Sequence, residues 1–545
     1  MSRKCVVEGF SSRVLVRVGF ALLLLSLSVR PLFAISCGVV HHPAPTDADT
    51  ALQAADFVKA AQLYQAALTK NPSNADATIG LVHALLRQEK VQEAADALQA
   101  AVKLGTESAA LMTLRGEVEL RQGDPWKASA TAVASQNLDP CNPRTMLLLS
   151  RLSDLNSQYA MGRRLLLSAH QLDSEDPEIR AAWMRTLPAE KRIPEMEAYL
   201  AAPRGDTADV LRDLQTDFEE FKSWTAEPRK SCTMASQVPN AEIPFALVRN
   251  SGAHAFAFGL DLKVNNHKLL AAIDTSFNSR FQIAGASGIL IRESIAQKMG
   301  LKPLTQNHVP GVGYEGPRSG YLAYADSISI GNIEFHDCAV QVMDATHFTD
   351  GADGLIGMDI LSNYLVTLDY RAEKLILSPL PPRPAAAAAQ DGLYNRYIAP
   401  EMNDYTAIFR TAGSDLIMPT LVNGKRPMLF VVATGIIPSV LSPGAAFEVV
   451  KGHKDPKFEV RDYKGRVINN YSAGNVTLNF AKMSWSEVEI PSFDTSRYSD
   501  DAGMEISGLI GLRMLNHMTV HIDYRDGLMK FDYDPSKRTS LALPF

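Results

Sequence analysis

The chain has 545 residues, of which 46% are hydrophobic and 21% are charged, and its formal net charge is −6. This composition is that of a globular protein with room for several domains. A slightly acidic chain without a clustered basic face gives no indication of nucleic acid or an anionic membrane surface as a partner.

Residues 1–36 predict a secretory signal peptide. The basic residues Arg3, Lys4, Arg13 and Arg17 precede an apolar run from residue 18 to 29. The run is shorter than the roughly 20 residues that cross a bilayer as a helix, and this arrangement is typical of export signals. An uncleaved anchor helix is the alternative. We therefore expect an exported protein, either in the bacterial periplasm, anchored to the membrane as a lipoprotein, or secreted.

Cys37 is a candidate for lipidation. It follows Ala34, Ile35 and Ser36, and a small residue before cysteine resembles the bacterial lipoprotein box, in which the cysteine is diacylated. Ala34 stands where that box usually has leucine, so simple cleavage of the signal is the alternative.

The other cysteines show no spacing typical of a metal site. Cys5 lies inside the signal, and Cys141, Cys232 and Cys338 are far apart in the chain. Cys232 and Cys338 can pair in an oxidising compartment, or they can be isolated buried residues. We expect neither a metal nor a cofactor.

Residues 47–222 predict an array of helical repeats. Small residues recur every 34 positions, at Ala60, Ala94, Ala128 and Gly162, and the columns four and seven residues later keep the same step. A small residue at this place lets two helices approach closely. The spacing resembles the second helix of a tetratricopeptide repeat, which implies a solenoid that binds protein or peptide ligands on its concave face. A spacer without a ligand is the alternative.

From residue 243 onward, short apolar runs broken by Gly, Asn and Pro predict β-structure. Residues 243–378 and 392–545 repeat each other, and the Pro- and Ala-rich residues 379–391 predict a linker between them. Gly354-Leu355-Ile356-Gly357 returns as Gly508-Leu509-Ile510-Gly511, and Asp369-Tyr370 returns as Asp523-Tyr524, each 154 residues later. A fixed offset of this kind indicates an internal duplication.

Each copy also places a threonine directly after an apolar strand. The first copy reads Ala272-Ile273-Asp274-Thr275-Ser276, and the second reads Val432-Ala433-Thr434-Gly435. An apolar strand, Asp-Thr-Gly and a later apolar-apolar-Gly strand resemble the lobe of a retropepsin-like aspartic protease. The resemblance implies a multidomain α + β chain, in which an N-terminal α-solenoid precedes two tandem all-β lobes that form a pseudo-dimer.

The resemblance also implies that Asp274 is catalytic and that Thr275 supports its loop. In this family two carboxylates share one proton, because like charges at short range cannot both ionise. One carboxylate activates water, and the other donates a proton to the scissile carbonyl. In the second copy Ala433 replaces the aspartate beside Thr434 and Gly435, so the second site is degenerate.

The loop after Asp274 departs from the family pattern. Ser276 replaces glycine, and the stretch from Gly285, which directly follows Asp-Thr in the family, begins about nine residues late. Either the loop carries an insertion that contains Arg280, or Ile283-Ala284 occupies the Asp-Thr position. We favour the insertion, because Asp274 and Ala433 lie at similar distances after their preceding turns. An insertion here threatens a catalytic geometry that tolerates little displacement.

A glycine-rich stretch downstream predicts a flap that closes over a bound peptide. It contains Gly311, Gly313 and Tyr314. An ordinary hairpin is the alternative.

Three functions follow from these patterns. The first is an exported aspartic peptidase that hydrolyses peptides through Asp274, with a second carboxylate supplied by another chain in a homodimer. The second is a catalytically inactive pseudo-peptidase, whose groove binds peptide beside a protein-interaction arm. The third is an envelope scaffold without affinity for peptides.

Overall fold

The computed structural model describes residues 37–105, 108–226, 232–235, 238–249, 255–277, 286–304, 320–343, 351–385, 393–411, 415–450, 453–454, 460–461, 467–468, 471–492 and 494–536. The signal segment, Arg280, Ile283-Ala284 and the predicted flap residues Gly311, Gly313 and Tyr314 lie outside these ranges. Within them, no helix is long and apolar enough to cross a membrane.

The N-terminal part of the described chain is helical, and we call it the arm. Its helices are α1 Asp47–Gln53, α2 Phe57–Lys70, α3 Ala75–Leu86, α4 Val91–Lys103, α5 Ala109–Arg121, α6 Pro125–Leu138, α7 Pro143–Leu155, α8 Tyr159–Leu172, α9 Pro177–Arg185, α10 Ala189–Ala201 and α11 Ala208–Thr225. The predicted small residues Ala60, Ala94, Ala128 and Gly162 are all buried on α2, α4, α6 and α8. The helical repeat and its register are therefore confirmed.

Helix starts in the arm follow the same 34-residue step. The N-cap residues of α3, α5, α7 and α9 are Asn74, Ser108, Asn142 and Asp176, and each side chain accepts a hydrogen bond from a backbone N–H of the first turn. Such caps satisfy donors that have no partner inside the helix. The repeat thus fixes where each helix begins as well as which face it buries.

The two ends of the arm meet. The segment after α10 returns to the first helices, where the Gly205 N–H donates to the Gln53 carbonyl at 2.7 Å. Arg87, directly after α3, donates to the Gly205 carbonyl and pairs with Asp206 at 3.2 Å. The helical array is therefore closed on itself by residues 203–206.

The first β-lobe is a closed sheet. Its strands are β1 Thr233–Met234, β3 Ala246–Arg249, β4 Ala255–Val264, β5 His267–Ile273, β6 Ala286–Arg292, β7 Gly320–Ile330, β8 Ile333–Met343 and β9 Gly354–Ile356, with helix α12 Glu293–Lys298 after β6. The order is β1-β8-β6-β9-β5-β4-β3, and β7 joins β4 to β8. This closure forms a barrel-like lobe around an apolar interior.

The second lobe repeats this arrangement. Its strands are β13 Phe409–Arg410, β14 Leu416–Val422, β15 Pro427–Ala433, β16 Val440–Leu441, β17 His453–Lys454, β18 Val460–Arg461, β19 Val467–Ile468, β20 Tyr471–Ser472, β21 Val476–Phe480, β22 Met483–Glu487, β23 Pro491–Ser492 and β24 Gly508–Gly511. Helices α13 Pro443–Val450, α14 Ser496–Ala502 and α15 Leu512–Leu515 accompany them. The order β23-β16-β24-β15-β14-β21-β22 matches β8-β6-β9-β5-β4-β7-β8 of the first lobe.

A six-stranded sheet joins the two lobes. Its strands are β2 Ala241–Pro244, β10 Tyr364–Asp369, β11 Lys374–Pro379, β12 Thr406–Ala407, β25 Met518–Asp523 and β26 Leu528–Tyr533, in the order β12-β26-β25-β10-β11-β2. The equivalent strands β10 and β25 pair antiparallel at its centre, with Thr367 opposite His521. The duplicated halves therefore form an intrachain pseudo-dimer, and the predicted fold class is confirmed.

The arm contacts both lobes. On the second lobe, Trp126 packs edge-on against Phe409 with ring centroids 5.3 Å apart, and the Glu505 N–H donates to the Arg121 carbonyl at 2.9 Å. On the first lobe, Phe218 and Phe221 of α11 belong to the same apolar cluster as Leu322 and Ala339, of β7 and β8. Helix α11 thus forms an interface with the first lobe.

Two disulfides are present, Cys37–Cys141 and Cys232–Cys338. The second is the pair that the sequence left open. The first changes the interpretation of Cys37, because a sulfur bonded to Cys141 cannot also form a thioether with a lipid. The structure therefore contradicts the lipidation prediction for Cys37.

Candidate active-site cleft

Strand register identifies the residue equivalent to Asp274. In the first lobe Ile273 lies opposite Ile356 in the parallel pair β5–β9, and in the second lobe Val432 lies opposite Ile510 in β15–β24. Ile356 and Ile510 occupy the same place in the duplication. Asp274 is therefore the structural counterpart of Ala433.

The same register locates the extra residues of the first lobe. Leu290 pairs with Leu355, and Val440 pairs with Leu509, so Leu290 and Val440 are equivalent and 150 positions apart. Asp274 and Ala433 are 159 positions apart. The difference, 159 − 150 = 9 residues, falls in the loop after Asp274, which agrees with the insertion interpretation.

The two central loops are joined by a reciprocal set of hydrogen bonds between their threonines. The Thr275 N–H donates to Thr434 Oγ1 at 3.0 Å, and the Thr434 N–H donates to Thr275 Oγ1 at 3.2 Å. Each hydroxyl also donates across the pseudo-twofold axis, Thr275 to the Val432 carbonyl at 2.7 Å and Thr434 to the Ile273 carbonyl at 3.2 Å. Because both threonines are buried, these bonds are protected from water and hold the loops together.

Asp274 lies beside these four hydrogen bonds, which we call the threonine joint. One of its carboxylate oxygens is surrounded by donors. Its Oδ1 accepts from the Ser276 hydroxyl at 2.7 Å, the Ser276 N–H at 2.9 Å and the Gly435 N–H at 3.2 Å. The side chain is 7% exposed. The carboxylate is thus held by its own loop and by the loop of the other lobe.

Gly435 leaves the space that this carboxylate occupies. A Cβ built on Gly435 would lie 2.1 Å from Asp274 Oδ2 and 2.3 Å from its Cγ. Heavy atoms that are not bonded do not approach so closely, so the second loop needs glycine at this position.

Burial raises the pKa of the Asp274 carboxyl above its usual range, while hydrogen bonds from Ser276, Gly435 and Phe277 oppose the rise. The physical reason is that the charged form loses its hydration inside the protein. A carboxyl with a raised pKa holds its proton to higher pH than an exposed aspartate does.

The position opposite Asp274 is apolar. Ala433 is fully buried, and it belongs to a cluster that includes Val431 of the same strand together with Leu148 and Leu152 of α7 in the arm. Among the described residues, no second carboxyl group is hydrogen bonded to Asp274. Ala433, the residue equivalent to Asp274, therefore supplies no acid to the cleft.

Two tyrosines near the cleft escaped the sequence analysis as site residues. Tyr370 and Tyr524 are equivalent in the duplication, both are buried, and burial raises the pKa of each phenol, with the charge of Asp274 adding to the rise. The signal that could have revealed them was present in the repeated Asp-Tyr pair. Ser276 was noticed only as a departure from glycine, and its hydrogen bonds to Asp274 were not foreseen.

The inner side of the arm is polar, and its charged side chains form ion pairs with one another. Arg144 pairs with Asp176 and, at 3.2 Å, with Glu178, which also pairs with Arg151 at 2.9 Å. Burial and the neighbouring Glu178 raise the pKa of Glu117 to about 7. These residues come from α5, α7 and α9, the first helices of successive repeats, so they share one face of the array. We find no recurrent set of ligand-binding side chains there.

No group of three or more His, Cys, Asp or Glu side chains could hold a metal ion in the part of the chain that the structure describes.

Comparison with known proteins gives matches for both parts of the chain. Residues 260–360 match the aspartyl protease family, and residues 47–109 and 79–132 match tetratricopeptide repeats. Among solved structures, the aspartic proteinase from Irpex lacteus is similar at 11% sequence identity and a TM-score of 0.31, over 55% of this chain and 98% of that chain. No curated protein sequence matches the chain.

The protein thus contains an aspartyl-protease-like domain of the retropepsin type. More particularly, it joins tetratricopeptide repeats to two tandem lobes of this type, of which the second has lost its aspartate.

Proposed function

We propose that this protein is an exported pseudo-peptidase, which binds extended peptides in the cleft between its lobes and does not hydrolyse them. The observation that supports this most strongly is the pairing of Asp274 with Ala433 across an intact joint of threonines. Peptide hydrolysis by this class of site needs one ionised and one protonated carboxyl. A single Asp274 can be either one or the other, and not both.

The pseudo-dimer argues against a homodimer that would supply the missing acid. Thr275 is engaged with Thr434 and Val432 of the same chain. A second copy of the first lobe would have to break four buried hydrogen bonds to dock in that place, and each broken buried bond costs about 1–3 kcal/mol. The intrachain arrangement therefore favours a cleft with one acid.

Export is supported by the cysteine pairing and by the N-terminal sequence. Disulfides persist in oxidising compartments outside the cytosol, and the chain forms Cys37–Cys141 and Cys232–Cys338. We propose that the signal is cleaved before Cys37 and that the mature protein resides in the bacterial periplasm or is secreted.

The experiment incubates the purified mature protein with a fluorescently labelled, unstructured casein at several pH values from 3 to 8 (roughly the range in which carboxyl groups titrate). Wild type is compared with Asp274→Ala and with Asp261→Ala, which removes an exposed carboxylate of the same lobe on β4. Fragment release and fluorescence anisotropy are both recorded, with and without pepstatin.

We expect binding without cleavage, and displacement of the bound peptide by pepstatin, because that inhibitor is itself a peptide shaped for this type of cleft. Cleavage by wild type and Asp261→Ala that disappears in Asp274→Ala would show a peptidase instead. Absence of binding at any pH would indicate the envelope scaffold.

A further inference from the structure

The loops of the two lobes differ at a second position besides the aspartate, and the two differences face each other. Ser276 occupies the place in the first lobe that Gly435 occupies in the second, because Asp274 is equivalent to Ala433 and Thr275 to Thr434. We infer that Ser276 and Ala433 form a coupled pair, in which Ser276 positions Asp274 and excludes a second carboxylate. This inference rests on the proposed function and explains how the one-acid state is maintained.

The steric part of the inference follows from the pseudo-twofold relation. Asp274 Oδ2 lies only 2.1 Å from the position that a Cβ on Gly435 would take. The reciprocal threonine bonds, at 3.0 and 3.2 Å, show that the two loops obey the same symmetry at this point. A carboxylate at position 433 would therefore approach the Cβ of Ser276 at a similar distance. That contact is too short for unbonded atoms, so an acid at position 433 requires glycine at position 276.

The polar part of the inference concerns the proton and hydrogen bonds of Asp274. In a two-acid cleft the second carboxyl shares a proton with the first. Here the Ser276 hydroxyl donates to Asp274 Oδ1 at 2.7 Å, beside the Ser276 N–H at 2.9 Å. The serine therefore supplies a donor to the same carboxylate oxygen that accepts from Gly435 of the second lobe. Without it a buried carboxylate would lose a hydrogen bond and become harder to ionise.

The effects of Ser276 and Ala433 can be separated with a set of variants of the full mature chain. The set consists of Ala433→Asp, Ser276→Gly, Ser276→Gly/Ala433→Asp and Ser276→Ala/Ala433→Asp, with Asp274→Asn added to each as a control for the remaining acid. The Ser276→Ala combination is the matched control, because it removes the hydroxyl and keeps the Cβ that causes the clash.

We expect Ser276→Gly/Ala433→Asp to cleave labelled casein at acid pH at least about 100-fold faster than Ala433→Asp, since a displacement of about 1 Å in a catalytic group has an effect of this size. The Ser276→Ala combination should stay as slow as Ala433→Asp. All cleavage should be lost when Asp274→Asn is added. Equal activity of Ala433→Asp with and without Ser276→Gly would overturn the inference, as would a folded, inactive Ser276→Gly/Ala433→Asp protein.

Thermal unfolding gives a second test that does not depend on activity. Ala433→Asp should lower the melting temperature, and the further change Ser276→Gly should recover part of that loss, although the same change alone should lower the melting temperature of wild type. Strictly additive effects would contradict the coupling. Cleavage by the wild-type protein would instead disprove the proposed function, and it is measured in a separate sample.

Discussion

The two lobes have the same topology, yet they have kept different parts of the site. Both keep the threonine that joins the central loops and the Gly-Leu-Ile-Gly strand beneath them. The first lobe keeps its aspartate and has gained nine loop residues and Ser276, whereas the second keeps its glycine and has lost its acid. The residues that hold the lobes together are thus symmetric, and those that perform chemistry are not.

A second difference lies in the strand equivalent to β8. In the first lobe β8 extends from Ile333 to Met343 and contains the left-handed residue Asp337. In the second lobe the equivalent strand is divided into β22 and β23, with the left-handed residue Glu489 between them. The apolar cluster that contains Ala433 also includes residues of the arm. The residue that replaces the aspartate in the second lobe therefore shares an apolar cluster with the arm.

The largest effect is expected from Gly435→Ala, because its Cβ would overlap the Asp274 carboxylate. We expect the free energy of unfolding to fall by about 3 kcal/mol, at the upper end for overpacking. The equivalent change in the first lobe, Ser276→Ala, should cost only about 1 kcal/mol for a lost hydrogen bond. Chemical denaturation measures both. Equal costs would mean that the two loops are not packed as described.

The threonine joint should respond symmetrically. Thr275→Val and Thr434→Val each leave one buried N–H and one buried carbonyl without a partner, so each should cost about 2 kcal/mol. Thr420→Val is the control, because Thr420 is buried in β14 and donates only to the nearby Met418 carbonyl. The double variant should cost less than the sum of the two single variants. A clear difference between the stability losses of Thr275→Val and Thr434→Val would show that the two threonines do not contribute equally.

Attachment of the arm to the second lobe can be tested at a glycine. Gly105 and Gly123 both have φ of +74°, but a Cβ on Gly123 would lie 2.8 Å from the Glu505 carbonyl, whereas Gly105 faces open space. Gly105→Ala should cost about 1 kcal/mol for backbone strain. Gly123→Ala should cost about 1 kcal/mol more, because it also pushes the second lobe away. The same cost at both sites would show that this contact contributes little to stability.

The smallest expected effect is a pH dependence that only the first lobe can show. Because the pKa of Asp274 is raised on folding, the native protein binds this proton more tightly than the unfolded chain does. At strongly acid pH both states are protonated, and Asp274 has no effect. As the pH rises through the raised pKa, the native state loses stability.

Asp274→Asn removes this titration. Relative to the variant, wild type should lose stability between strongly acid and neutral pH, because the raised pKa favours the protonated native state. Denaturation curves across that range give the difference. If wild type instead became more stable relative to the variant as the pH rises, hydrogen bonding would outweigh burial at this carboxyl.

Much of the fold could be predicted from periodic features of the sequence. The 34-residue step of Ala60, Ala94 and Ala128 gave the helical array, and the 154-residue offset between Ile356 and Ile510 gave the two lobes. Both are local patterns repeated along the chain, so one sequence contains several copies of the same evidence. The replacement of an aspartate by Ala433 was visible for the same reason.

Contacts between unlike segments had no such repeated evidence. No sequence period links Gly205 to Gln53, which close the arm. The partner of Cys37 is Cys141, 104 residues away, and the sequence pattern had suggested a lipid at that cysteine. The contact of the Gly435 N–H with Asp274 also depends on how two distant loops meet.

The sequence alone therefore determined that the protein has a repeat arm and a duplicated protease-like body. It also determined that only the first copy has an aspartate at the position of Asp274. Only the tertiary structure decided that Asp274 contacts Gly435 of the other lobe, beside the buried bonds between the two threonines. The physical reason is that strand and helix periods are set by neighbouring residues. The cleft is set by hydrogen bonds at about 3 Å between groups about 160 residues apart.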